Sequence, residues 1–198
     1  TNVTLHFPLE EYHRRIALTR KAMAEKGLDL IIVSDPSNMA WLTGYDGWSF
    51  YVHQGVILGM EGEPVWWGRN MDANGARRTA WISEASLRPY GDQYVQSTVR
   101  HPMQHLAALL KELGYEKARI GVEMENYYFS AKAYTTLLAE LPNADIIDAT
   151  ALVNWQRAVK SDEEIAFMRR AARIAEKMID GAIDRAEPGL KKNELVAS

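Results

Sequence analysis

The sequence contains no cysteine, so thiol catalysis, thiolate metal sites and disulfides are all excluded. That composition fits a reducing compartment, and a cytoplasmic location is expected. Long hydrophobic runs are also missing. No stretch of eighteen apolar residues occurs, and the first twenty positions carry several charges. Neither a transmembrane helix nor a secretory signal is therefore expected. An excess of one charge sign is lacking as well, because 23 basic and 26 acidic residues leave a formal charge of -3. This argues against a nucleic acid partner held by counterion release, and no membrane partner is expected either. Internal repeats and low-complexity segments are absent. So are the common catalytic signatures: the Gly-x-Ser-x-Gly elbow, the phosphate-cradling glycine loop, the dinucleotide Gly-x-Gly-x-x-Gly and the zinc-binding His-Glu-x-x-His.

What is present is an ordinary globular composition, 47% apolar and 25% charged over 198 residues, enough to bury a core without staples. The chain opens on Thr1 rather than Met, which suggests a trimmed or processed start. The sequon Asn2-Val3-Thr4 has no meaning without a secretion signal. Apolar positions Leu9, Tyr12, Ile16 and Met23 predict a helix over 8–26, stopped by Gly27. Leu28 to Val33 reads as a buried strand, 34–38 as a turn, and 39–43 as a short helix ending at Gly44. Strands are expected over 52–59, 64–67, 86–90, 119–124 and 145–147, and helices over 70–79, 102–113 and 130–141. The alternation predicts an α/β domain with a mixed sheet covered by helices. After it, Ser161 and Glu164 form a capping box at the head of a long helix. Its stripe of Ile165, Met168, Ala172, Ala175, Ile179 and Ile183 is expected to pack on a further domain, or otherwise to fray or cover itself against another chain. Pro188-Gly189 ends this helix, and Asn193 could cap another that breaks off, so the chain reads as truncated.

Few residues carry a chemical signal of their own. His101 and His105 lie four apart, a spacing that can hold a zinc ion, but no third ligand is evident. Glu123 and Glu125 share one side of a strand end, and Glu123 reads as a structural hydrogen-bond acceptor rather than an acid or base. Trp66 and Trp67 are adjacent in a strand and face opposite sides of it. The segment from Gly44 to Gly55 sets Tyr45, Trp48, Phe50 and Tyr51 beside Asp46, Ser49, His53 and Gln54. Two readings stand: a loop whose aromatics are buried as it enters a strand, or an aromatic wall of a small-molecule site.

Several separated segments together resemble the amino-terminal domain of the creatinase/prolidase family, the family of the "pita-bread" hydrolases. They are Arg15 and Met23, Gly27-Leu28-Asp29, Asn38-x-x-Trp41-Leu42-Thr43-Gly44-Tyr45 and Ile120-Gly121-Val122-Glu123. The most specific is Arg157-Ala158-Val159-Lys160-Ser161-Asp162-Glu163-Glu164-Ile165, followed by Met168, Arg169 and Ala171. It resembles the junction that leads into the family's catalytic domain, whose first helical hairpin is matched by Pro188-Gly189 and Glu194-Leu195. Asn70-Met71-Asp72 with Arg77-Arg78-Thr79 looks like creatinases, and the segment from Gly44 to Gln54 looks like ectoine hydrolases.

The resemblance implies a division at 1–156 for the amino-terminal domain and 157–198 for the junction and the first helices of a catalytic domain. It implies that no catalytic residue and no metal ligand lies in this chain. The family's metals, two divalent ions held by two Asp, one His and two Glu, sit in the catalytic domain, while creatinase uses a His base without metal. It further implies a homodimer in which the amino-terminal domain leans over the partner's active site, with Trp48, Phe50, Tyr51 and His53 lining the substrate. The expected activity of the whole enzyme is hydrolysis of a C–N bond in a small molecule such as ectoine or creatine. A Xaa-Pro dipeptidase or aminopeptidase, and a stand-alone ligand-binding module, are the alternatives.

Overall fold

In a computed structural model, which describes residue 3 and residues 5–197, the chain divides into two compact units, 1–158 and 159–198. Asn2 and Thr4 of the sequon lie outside the described residues.

The first unit is built on a six-stranded sheet. Its strands are β1 (Leu30–Val33), β2 (Gly55–Gly59), β3 (Val65–Arg69), β4 (Leu87–Tyr90), β5 (Arg119–Val122) and β6 (Asp145–Asp148), in the order β4-β3-β2-β1-β5-β6. β2 runs antiparallel to β1 and β3, while β1–β5, β5–β6 and β3–β4 pair in parallel, so the sheet is mixed. Alternation along the strands feeds two cores. Ile31, Val33, Val56, Leu58 and Trp66 pack with residues of α1 (Leu9–Glu25), α2 (Pro36–Thr43), α3 (Ala73–Thr79) and α6 (Leu152–Ala158). Leu30, Ile32, Ile57, Trp67 and Ile120 pack on the other face with α4 (Pro102–Glu112) and α5 (Ala131–Glu140). Trp66 and Trp67 thus enter different cores, as a period of two residues requires.

Local chemistry sets most boundaries. α1 ends with Gly27 at φ +63 and a bond from Leu28 N to Met23 O, a glycine-dependent helix stop. α2 starts three residues earlier than its apolar pattern suggests. Asp35 caps it by accepting from Asn38 N, and Pro36 occupies the first turn, where its missing N–H costs nothing. Gly44 closes α2 at φ +78, and a Cβ there would sit 2.9 Å from Thr79 O. Gly44→Ala is therefore expected to lose about 2 kcal/mol in chemical denaturation, from left-handed strain plus crowding. The strand expected from Val52 begins only at Gly55. The β1–β2 ladder ends at the Val33–Val56 pair and the β2–β3 ladder at the Gly55–Trp67 pair, so residues 52–54 are paired to neither neighbour and remain loop, although β3 itself runs on to Arg69. Residues 70–72 form a turn before α3.

α6 escaped the sequence pattern altogether. It is a short helix with Leu152 and Val153 buried, entered through Ala151 at φ +62.

The second unit consists of α7 (Asp162–Arg185) and α8 (Lys192–Val196). The capping box is formed: Glu164 N donates to Ser161 Oγ and Ser161 N to Glu164 Oε2. No residue of α7 is buried, and Ile165, Met168, Ile179 and Ile183 are all exposed. No helix of the described residues is long and apolar enough to cross a membrane.

Candidate functional site

All strands except β2 point the same way, so the carboxyl ends of β1, β4 and β5 lie along one edge of the sheet. In open α/β sheets ligands bind outside such carboxyl ends. Three loops gather there: 44–54, which delivers the chain into β2, 91–101 after β4, and 123–130 after β5.

Beneath them lies a buried polar hub. Glu123 is 4% exposed and accepts hydrogen bonds from Ser34 N (2.7 Å), Asp35 N (2.8 Å) and Asn38 Nδ2 (2.6 Å), with Asn126 Nδ2 at 3.3 Å. Burial pushes its pKa above the usual value, and the donors from Asp35, Asn38 and Ser34 oppose that shift. Asn38 passes the network on, donating to Asn154 Oδ1 and accepting from Arg157 Nη1 at 2.7 Å. Glu123 is thus a structural acceptor. The segments around Asn38, Glu123 and Arg157, far apart in sequence, meet in one hydrogen-bonded cluster joining α2, the end of β5 and α6.

Above this hub the 44–54 loop divides by exposure. Tyr45 and Val52 are buried, and Tyr45 Oη donates to Gln54 Oε1. Trp48, Phe50 and Tyr51 are 59%, 82% and 56% exposed, so the reading in which these aromatics are buried fails for all three. Trp48 sets its ring edge-on to Phe50 and Tyr128 at 6.5 and 6.2 Å. His53 is half-buried. Its Nδ1 lies 3.1 Å from Tyr128 O, and its backbone oxygen accepts from Tyr90 Oη. Burial holds its pKa below the usual imidazole value. A carbonyl can only accept, so the neutral ring carries its proton on Nδ1 and keeps Nε2 as a free acceptor.

The ring of His101 stands 5.0 Å from that of His53. Its Nδ1 accepts from Met103 N and caps α4, so its proton must sit on Nε2. Burial, with the charges of His53 and Lys132, pushes its pKa down to about 4. Only neutral His101 can cap the helix. Protonation therefore opposes folding, and the stabilisation is complete above the ordinary pKa of 6.5 and lost as pH falls toward 4. The ring is partly exposed, so screening leaves about 1–2 kcal/mol of this difference. His101→Asn keeps a capping acceptor that does not titrate. It is expected to flatten the fall in Tm between these limits, read by thermal melts at stepped pH.

The paired spacing of His101 and His105 makes no metal site. His105 Nδ1 accepts from Trp67 Nε1 at 3.1 Å, and His101 Nδ1 is engaged by the cap. Among the described residues no group of three His, Cys, Asp or Glu side chains could hold a metal ion.

No sequence signal announces the residues that complete this edge. Tyr128, Arg100 and Lys132 belong to no motif, and topology alone brings them beside His53 and His101.

The family model of the creatinase/prolidase N-terminal domain matches residues 15–159. The chain belongs to this family. It is 55% identical over 196 residues to the ectoine hydrolase of Halomonas elongata, covering 98% of this chain and 49% of that protein. To the creatinase of a Bacillus species it is 25% identical, over 96% of this chain and 44% of the relative. The recombinant prolidase of Thermococcus sibiricus superimposes with a TM-score of 0.74 at 19% identity, covering 94% of this chain and 47% of the other. That likeness establishes the fold alone. The chain spans about half the length of the curated relatives it matches.

Proposed function

We propose that this chain acts as the amino-terminal, non-catalytic domain of a longer cytoplasmic hydrolase that cleaves a C–N bond in a small solute of the ectoine or creatine class. In this reading the enzyme is a homodimer, and Trp48, Phe50, Tyr51 and His53 form a wall of the partner subunit's substrate site. The observation that carries it is the exposure of three neighbouring aromatics, Phe50 at 82%, on a loop anchored by buried Tyr45 and Gln54 at the carboxyl edge of the sheet. Exposed aromatic clusters of this kind are interaction surfaces rather than core. The 55% identity to ectoine hydrolase favours that substrate class over Xaa-Pro dipeptides.

The part these residues play is to supply an apolar wall that excludes water, with His53 Nε2 as an acceptor for a substrate N–H. Any divalent ions the enzyme uses belong to the catalytic domain, because the described residues offer no ligand set. The test is to assay the longer protein on ectoine, creatine and Xaa-Pro dipeptides, with and without added divalent metal. Higher kcat/KM on the cyclic amidine than on any dipeptide is expected, and dipeptide preference would transfer the reading to the peptidase branch.

A further inference from the structure

Tyr128 meets the aromatic loop twice. Its carbonyl oxygen lies 3.1 Å from His53 Nδ1, and its ring stands edge-on to Trp48 at 6.2 Å. Whatever fixes Tyr128 therefore fixes both. The segment that carries it, residues 123–130, is anchored on either side of it. Glu125 N donates to Thr150 Oγ1 at 3.1 Å, and Phe129 is buried in the core that α4 and α5 cover. Tyr127, between these anchors, is wholly exposed and gives no hold. Asn126 gives one. Its Oδ1 accepts from Tyr128 N at 2.8 Å, a side-chain turn two residues on, and its backbone oxygen accepts from Phe129 N at 3.0 Å. Its Nδ2 lies 3.3 Å from Glu123 Oε2. That oxygen also accepts from the N–H groups of Ser34 and Asp35, so it has no hydrogen to give. It takes the NH₂ end of the Asn126 amide and leaves Oδ1 facing Tyr128 N.

We propose that Asn126 is a positioning residue for the substrate wall, holding Tyr128 so that its carbonyl sets the tautomer of His53 and its ring braces Trp48. The inference rests on the wall proposed above. A chain of short contacts carries it, from Glu123 in the buried hub through the Asn126 amide and Tyr128 N to the Tyr128 carbonyl and His53 Nδ1. Which ring nitrogen of a neutral histidine bears the proton is decided by the hydrogen bond at the other nitrogen. Without the Tyr128 carbonyl, His53 Nδ1 loses its partner and part of the population moves its proton to Nε2. The wall then offers a donor at the atom where it needs an acceptor for a substrate N–H. Asn126 touches no substrate and acts only through Tyr128.

The experiment reads the His53 ring by long-range proton–nitrogen NMR in the 198-residue chain at about pH 8, where the imidazole is neutral. The unmodified chain is expected to show the proton on Nδ1. Asn126→Ala should give a mixture of the two tautomers, and Asn126→Asp, which keeps an acceptor for Tyr128 N, should restore the Nδ1–H form. A turn residue with a structural role alone would change the melting temperature and leave the tautomer where it was. Hydrogen exchange on the unmodified chain is the second measurement and needs no variant to fold. The Tyr128 amide should exchange well below the rate of an unstructured peptide. In the longer enzyme, Asn126→Ala should lower kcat/KM about tenfold and Asn126→Asp should recover most of it. An unchanged His53 tautomer in Asn126→Ala, an Asp variant no better than Ala, or an unprotected Tyr128 amide would overturn the hold on Tyr128. A shifted tautomer with unchanged activity would instead remove the substrate wall, and with it the positioning role, so the two failures are read separately.

Discussion

Replacing Glu123 by alanine is expected to destabilise the first unit by about 3–5 kcal/mol, because several buried donors lose their acceptor at once. The change removes the acceptor of the Ser34 and Asp35 N–H groups and of one Asn38 amide hydrogen, with Ser34 and Asn38 buried. Each buried donor without a partner costs about 1–3 kcal/mol. Glu123→Gln keeps the shape but presents an amide NH₂ to groups that also donate. It is expected to cost about half as much. Asn38→Leu should approach the alanine variant, because it also strands Arg157 Nη1 and Asn154 Oδ1. Urea denaturation followed by tryptophan fluorescence reads these differences. If Glu123→Ala moved the midpoint by less than an equivalent of about 1 kcal/mol, the hub would be a weak feature of the fold.

Removal of the Phe50 ring should do the opposite, sparing stability and damaging activity. At 82% exposure the ring contributes almost nothing to the core, and Phe50→Ala should change the unfolding free energy by no more than about 0.5 kcal/mol. In the longer enzyme the same change is expected to lower kcat/KM about 10- to 100-fold, which is about 1.4–2.7 kcal/mol of lost transition-state stabilisation. His53→Ala should lower it similarly, with a stability cost of about 1 kcal/mol for the lost bond to Tyr128 O. A buried Phe50 would have shown the reverse, several kcal/mol lost from stability and normal activity per folded molecule.

The layered fold was legible because its signals are local. The apolar run 30–33, the leucines of α4 and the glycine stops at 27 and 44 each state their element without reference to the rest of the chain. Boundaries went wrong where a partner decides them. Val52 reads as strand by composition, yet residues 52–54 join neither the β1 nor the β3 ladder. Residues 34–38 read as a turn, but Asp35 caps α2 there and Asn38 turns inward to Glu123. α6 was missed because seven residues give too short a period to stand out. The site was legible only in part. Clustered aromatics between Gly44 and Gly55 announced the loop, but sequence could not distinguish a buried aromatic from an exposed one. The edge that Arg100, His101, Tyr128 and Lys132 form with His53 could not be read in advance, since it exists only after β1, β4 and β5 bring three distant loops to one end of the sheet.

Mixed dimers of the longer enzyme test the central claim, that this domain completes a substrate site in the partner subunit. One subunit carries Phe50→Ala and the other a disabling change in its catalytic domain. If the aromatic loop serves the partner, one of the two sites in each mixed dimer keeps an intact loop over an intact catalytic domain. Mixing should then restore up to about half of the wild-type activity per mixed dimer, from two nearly inactive parents, without new protein synthesis. Activity that stays at the average of the two parents at every mixing ratio, in samples shown to have exchanged subunits, would contradict a substrate site shared between subunits.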